Sequence, residues 1–238
     1  MCKKYQAVAL YKADENRKKE FEKRKKNEDR LRASRLEELR VGERPPSLFG
    51  IPYETATAWS STIILGIPDF ITYCCACIDC TDYSEEGVFR LSPMKSELDK
   101  LVDIFDHNKE FPPFSEILDI NVVAGVIKKF IRELPESPFS NLNFSAMTPR
   151  ELIEALPSDT RRFIQLIFYI FHKVSLNKSK TKMGYTNLVI VTPTLPPVAD
   201  GKDRVNFVEK YYKVFVEDYD SVFVPEELPL PENWPHIF

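Results

Sequence analysis

Four cysteines fall within seven residues, Cys74, Cys75, Cys77 and Cys80, and the Cys77-x-x-Cys80 pair has the spacing with which a zinc site begins. A structural zinc site needs four ligands, usually two such pairs across a loop. The sequence offers no second pair, and His107, His172 and His236 stand at no complementary spacing. Cys74 and Cys77 instead share the apolar face of a helix with Phe70 and Ile78, where cysteine serves as a small hydrophobe. No metal site is expected. Nor does a Gly-x-Ser-x-Gly turn present a nucleophile, and no Gly-rich loop runs into Lys-Ser/Thr to cradle a phosphate. No carboxylate pair stands out as acid and base, so a self-contained enzyme is not expected.

One constellation remains. Glu86-Gly87-Val88-Phe89-Arg90-Leu91-Ser92 sets a single arginine after a glycine turn and two apolar anchors, just ahead of a helix. Further on come Lys128-Lys129-Phe130-Ile131-Arg132-Glu133-Leu134-Pro135 and then Lys182-Met183-Gly184-Tyr185-Thr186-Asn187-Leu188. Taken singly, Arg90 reads as a surface arginine in a turn, Lys128 and Arg132 as a solvated helix face, and Asn187 as a helix cap. In this order and spacing they resemble the RhoGAP family, the activating domains of Rho-type small GTPases, over some 190 residues from Phe49 onward.

The resemblance implies an all-α, RhoGAP-like helical bundle whose arginine, Arg90, enters a partner's active site in trans. It assigns Arg132 to bracing the finger loop, Lys128 to the docking surface, and Asn187 to contact with the partner's switch region. The implied partner is a Rho/Rac-type GTPase. No cofactor belongs to the chain itself, because GTP and Mg2+ are carried by the partner. The chemistry is coherent. GTP hydrolysis spreads negative charge over the transferred phosphoryl group and the leaving oxygen, and a guanidinium is always charged and presents planar donors. The chain departs from the family pattern at Pro93, where Gly is usual, at Asn121 for His, and at Thr181 and Thr194 for Asn. Ser137-Pro138 also shifts a proline by one place. A domain that binds a GTPase without stimulating it is the alternative reading.

The elements that must position these residues are mostly legible as helices. Phe70, Ile71, Cys74, Cys77 and Ile78 have helical spacing after Pro68. Ser92-Pro93 predicts an N-cap and first turn for an amphipathic helix carrying Met94, Leu98, Leu101, Val102 and Phe105. Residues 119–134 form the best-defined helix, with Val122, Val123, Val126, Ile127, Phe130, Ile131 and Leu134 on one broad face. Pro135 ends it. Lys128 and Arg132, at i and i+4, project from the opposite face. Thr148-Pro149 and Ser158-Asp159 are expected to cap two more helices, and Met183 to Val191 reads as helix or strand.

Residues 1–45 stand apart as a charged extension, and residues 46–238 as the RhoGAP-like domain. The extension holds 15 Lys+Arg against 9 Asp+Glu, a net of +6, while the rest of the chain carries −9. A uniformly basic nucleic-acid-binding domain is therefore excluded. The extension is expected to be a charged N-terminal helix or linker, stopped by Gly42, Pro45 and Pro46. A peripheral membrane or coiled-coil contact through it is the sharper alternative. No apolar run reaches a membrane-spanning length, no secretory signal opens the chain, and the cysteines form no disulfide framework, so a cytoplasmic location is expected.

Overall fold

A computed structural model describes residues 33–40, 42–60, 66–107, 109–198, 201–225 and 230–236, with Lys19, Lys23, Lys26, Asn27, Arg30, Leu31, Ile63, Ile64 and Leu228 besides. Among these residues every regular element is helical and none is a strand. The charged helix or linker expected at residues 1–45, and the membrane or coiled-coil alternative for it, fall largely outside the described residues. The last part of that extension, however, packs on the domain. Leu36 is buried, and Arg40 donates to the carbonyl of Ala58.

The helices relevant to the site come in chain order. Tyr53–Trp59 is α1, Asp69–Asp79 is α2, Lys95–Asp106 is α3 and Ile120–Glu133 is α4. Then follow α5, Pro149–Glu154, and the longest, α6, Ser158–Leu176. The short turns α7, Lys178–Thr181, and α8, Tyr185–Val191, lead to α9, Gly201–Phe207. A π-helical turn, Val208–Tyr212, joins α9 to α10, Lys213–Glu217, and α11 is Tyr219–Val222.

Apolar faces explain the packing. In α4 the Val/Ile/Phe stripe is fully buried and lies against α2 and α3, with Phe130 edge-on to Phe70 at 5.2 Å. Phe70 in turn stacks on Phe105 of α3 and reaches Phe49, while Phe163 brings α6 to the same cluster. The far side of α6 meets the C-terminal helices through Phe168, which is edge-on to Tyr212 at 5.0 Å and to Phe215 at 5.1 Å. Such aromatic pairs contribute about 0.5–1.5 kcal/mol each beyond their buried area. Cys74, Cys75 and Cys77 sit inside this core as free thiols, and burial pushes all three upward, Cys77 to about 12. Among the described residues no cluster of His, Cys, Asp and Glu is placed to hold a metal ion, and no helix is long and apolar enough to cross a membrane.

Helix ends agree with the sequence in part. Asp119 caps α4 by accepting from the Asn121 amide, and α4 stops before Leu134-Pro135. Thr148 and Glu151 form a reciprocal capping box on α5. Two caps are corrected. Ser158 is the first helical residue of α6, after Pro157, and does not cap it. Ser92 does not cap α3 either: the helix starts at Lys95, with Met94 at the cap position. The cause lies in residues 91–93, which are held by α4 as described below and cannot turn helical early. The ambiguous 183–191 segment is the helix α8, preceded by Gly184.

The segment between the extension and α1 is fastened by Arg44. Its guanidinium donates to the carbonyls of Trp59, Phe105 and Asp106, each at 3.3 Å, at the C-terminal ends of α1 and α3. The Leu48 amide donates to the Asp106 carboxylate at 2.7 Å.

Candidate functional site

Arg90 lies in a tight turn between α2 and α3. The amides of Arg90 and Leu91 both donate to the Gly87 carbonyl, at 2.7 and 2.9 Å. The turn requires left-handed backbone at Gly87, φ +79°, which glycine adopts without steric cost. It also places Phe89 at φ +70°, a conformation that costs a residue with a Cβ about 1–2 kcal/mol. Burial offsets that cost. Phe89 is fully buried, edge-on to Phe171 of α6 at 5.1 Å, and Val88 is buried beside it. The strained turn thus drives Phe89 inward and leaves Arg90 outward, with 48% of its side chain exposed.

In this free state the guanidinium lies back along its own loop. A Cβ at position 87 would stand 3.2 Å from Arg90 Nη2, and Nη2 is 3.8 Å from the Glu86 carboxylate. Both side chains of that ion pair are well exposed, so it is worth at most about 1 kcal/mol and does not lock the arginine.

Two other elements grip the loop backbone. From α4, Lys128 Nζ donates to the Leu91 carbonyl at 2.9 Å. Burial first, and the neighbouring Arg132 charge second, lower the pKa of this half-buried lysine. The contact with the loop is therefore made by Lys128, whereas Arg132, one turn on, lies exposed. From the α7–α8 corner, the Thr181 carbonyl accepts from the Gly87 amide at 2.7 Å. The corner itself is held by Lys182 in the left-handed region, φ +57°. Asn187 spans it, its side-chain amide donating to the Lys182 carbonyl at 2.8 Å. Lys128 from α4 and the α7–α8 corner, which Asn187 spans, thus both hold the loop that carries Arg90.

Three departures from the family pattern make contacts here. Thr181 is fully buried, and its hydroxyl donates to Val174 O and accepts from the Met183 amide. Thr194 donates to the Ile131 carbonyl at 2.6 Å, tying the segment after α8 to α4. Pro93 lies against Gly125 of α4, closer than a side chain there would allow. Met94, expected on the apolar face of α3, sits instead at its cap position and is 67% exposed. Sequence reasoning did not single out Leu91 and Ile190 as exposed apolar side chains, at 45% and 71%. Ile190 was legible only as one β-branched member of 189–191, because the neighbouring elements are needed to tell surface from core.

Comparison with known protein families matches residues 68–198 to the RhoGAP domain. Among curated proteins, the chain is 31% identical over 167 residues to Rho GTPase-activating protein gacZ of Dictyostelium discoideum, covering 62% of this chain and 16% of that one. It is 28% identical over 195 residues to Rho GTPase-activating protein 35 of Mus musculus, covering 71% of this chain and 13% of the other. The chain thus spans less than a fifth of the length of these relatives. The fold resembles the crystal structure of human Rho GTPase activating protein 15, with a TM-score of 0.62 at 22% identity, covering 77% of this chain and 95% of that one. With more than half of its residues matched to that domain, the chain belongs to the RhoGAP domain family.

Proposed function

We propose that this domain accelerates GTP hydrolysis on a Rho/Rac-type small GTPase by supplying Arg90 in trans. The observation that carries the proposal is the contrast within one loop. The backbone on both sides of Arg90 is fixed by buried Phe89, by Thr181 and by Lys128, while the guanidinium itself is exposed and only weakly paired. A firm base with a free charged tip suits insertion, because a misplacement of about 1 Å can cost a reaction 100-fold.

In this reading the guanidinium leaves Glu86 and neutralises charge that develops on the phosphoryl group in the transition state. An arginine finger contributes a factor of about 10³–10⁵, or roughly 4–7 kcal/mol off the barrier. Lys128 positions the loop and, with Arg132, gives the docking face positive charge. Asn187 supports the α7–α8 corner and offers its side-chain oxygen to the partner. Leu91, Met94 and Ile190 supply apolar contact area around the finger. The domain is an activator with no nucleotide or metal of its own, acting on the GTP and Mg2+ of its partner in the cytoplasm.

Hydrolysis assayed across purified Rho, Rac and Ras-type GTPases tests the proposal. Stimulation confined to Rho-family members is the expected outcome. Binding of a GTP-loaded GTPase without stimulation at saturating domain would instead favour a non-catalytic scaffold.

A further inference from the structure

A glycine in the middle of a buried helix needs a reason, since alanine there would favour the helix. Gly125 occupies such a position in α4, and its backbone is ordinary helix, so conformational freedom is not the reason. The reason is space. A Cβ at 125 would stand 2.9 Å from Pro93 Cγ, 3.3 Å from Pro93 Cδ and 3.4 Å from Leu98 Cδ1. The Pro93 ring is rigid and carries its backbone with it, so it cannot rotate aside as a flexible side chain would. What must yield is the main chain three residues from Arg90.

Gly125 and Lys128 are one helical turn apart, and both act on this loop. Gly125 admits the ring of residue 93, and Lys128 holds the carbonyl of residue 91. We infer that Gly125 is a positioning residue for the finger: the Gly125–Pro93 seat fixes the height at which the 90–93 segment leaves α4, and so the reach of Arg90. The inference rests on the activator function proposed above. It also accounts for Pro93, because a proline at that place needs a partner without a side chain.

The test is a two-residue cycle read as single-turnover stimulated hydrolysis on a responsive Rho-family GTPase, with the fold of each variant checked by circular dichroism. Gly125→Ala is expected to lower the maximal stimulated rate at least about tenfold, while affinity for the GTP-bound partner changes by less than about threefold. Adding Pro93→Gly, which removes the ring, is expected to recover most of that loss. A packing role unrelated to the loop would show no such rescue. Gly125→Ala acting like wild type, or a loss that Pro93→Gly leaves in place, overturns the inference. Should Gly125→Ala not fold alone, recovery of folding in the double variant supports the seat, and failure of both contradicts it. A wild-type domain that stimulates no Rho-family GTPase refutes the activator function, whereas an active wild type with an equally active Gly125→Ala refutes only the seat.

Discussion

Lys128 Nζ donates to the carbonyl of Leu91 across 2.9 Å, so the residue next to Arg90 is held by a different helix from the one its loop leads into. The bond is charge-assisted and lies at the protein surface. Lys128→Met keeps the aliphatic stem and removes the donor. Water can reach the freed carbonyl, so stability should change by no more than about 1 kcal/mol. The stimulated hydrolysis rate should fall about tenfold or more as the loop loosens. An unchanged rate would show that the Lys128 bond does not position the loop.

Neighbouring residues should separate stability from activity. Phe89→Ala removes a fully buried ring packed on Phe171 and should cost about 3–5 kcal/mol in urea unfolding. Arg90→Ala, on an exposed side chain, should stay within about 0.5 kcal/mol of wild type. Equal losses at both positions would mean that Arg90 is structural.

Thr181 links the α7–α8 corner to the finger turn. Thr181→Val keeps the volume but leaves Val174 O and the Met183 amide without the hydroxyl, at a cost of about 1–3 kcal/mol. Because the Thr181 carbonyl holds the Gly87 amide, hydrogen exchange at Gly87 should quicken in this variant. Protection at Gly87 equal to wild type would count against the coupling.

The core should make the domain sensitive to alkali. Burial raises the pKa of Tyr73, Tyr83, Tyr169, Tyr212 and Tyr219, as well as the thiols of Cys74, Cys75 and Cys77. A folded-state pKa above the unfolded value contributes stability that is complete below the unfolded pKa and lost as pH rises beyond it. The unfolded values are about 8.5 for cysteine and 10 for tyrosine. Lys128 is shifted downward and acts in the opposite sense, but it is one half-buried group against eight. The melting temperature should therefore hold steady from about pH 7 to 8 and fall progressively above about pH 9. A profile flat to pH 11 would contradict this.

How far this was legible beforehand depended on the range of the forces involved. The 119–134 helix carries its apolar stripe within its own residues and its stop in the next residue, Pro135, and the structure reproduces both. Thr148-Pro149 is equally local, and so is its capping box. Ser92 misled because its capping potential is real, but Lys128 and Gly125 capture the chain first, and both lie more than thirty residues away. The α8 segment could not be assigned by periodicity, since a short β-branched run fits helix or strand until its neighbours are known. The motif around Arg90 was visible as an ordered set of residues. For Lys128 and Arg132 the resemblance implied a division of labour, to which the structure adds that Lys128 reaches the loop carbonyl while Arg132 lies exposed.

The most direct measurement is single-turnover GTP hydrolysis by a responsive Rho-family GTPase at saturating domain, comparing wild type with Arg90→Ala. The variant is expected still to bind the GTP-loaded partner but to lose about 10³-fold or more of the stimulation. An Arg90→Ala domain that stimulates hydrolysis as well as wild type would contradict the role proposed for Arg90.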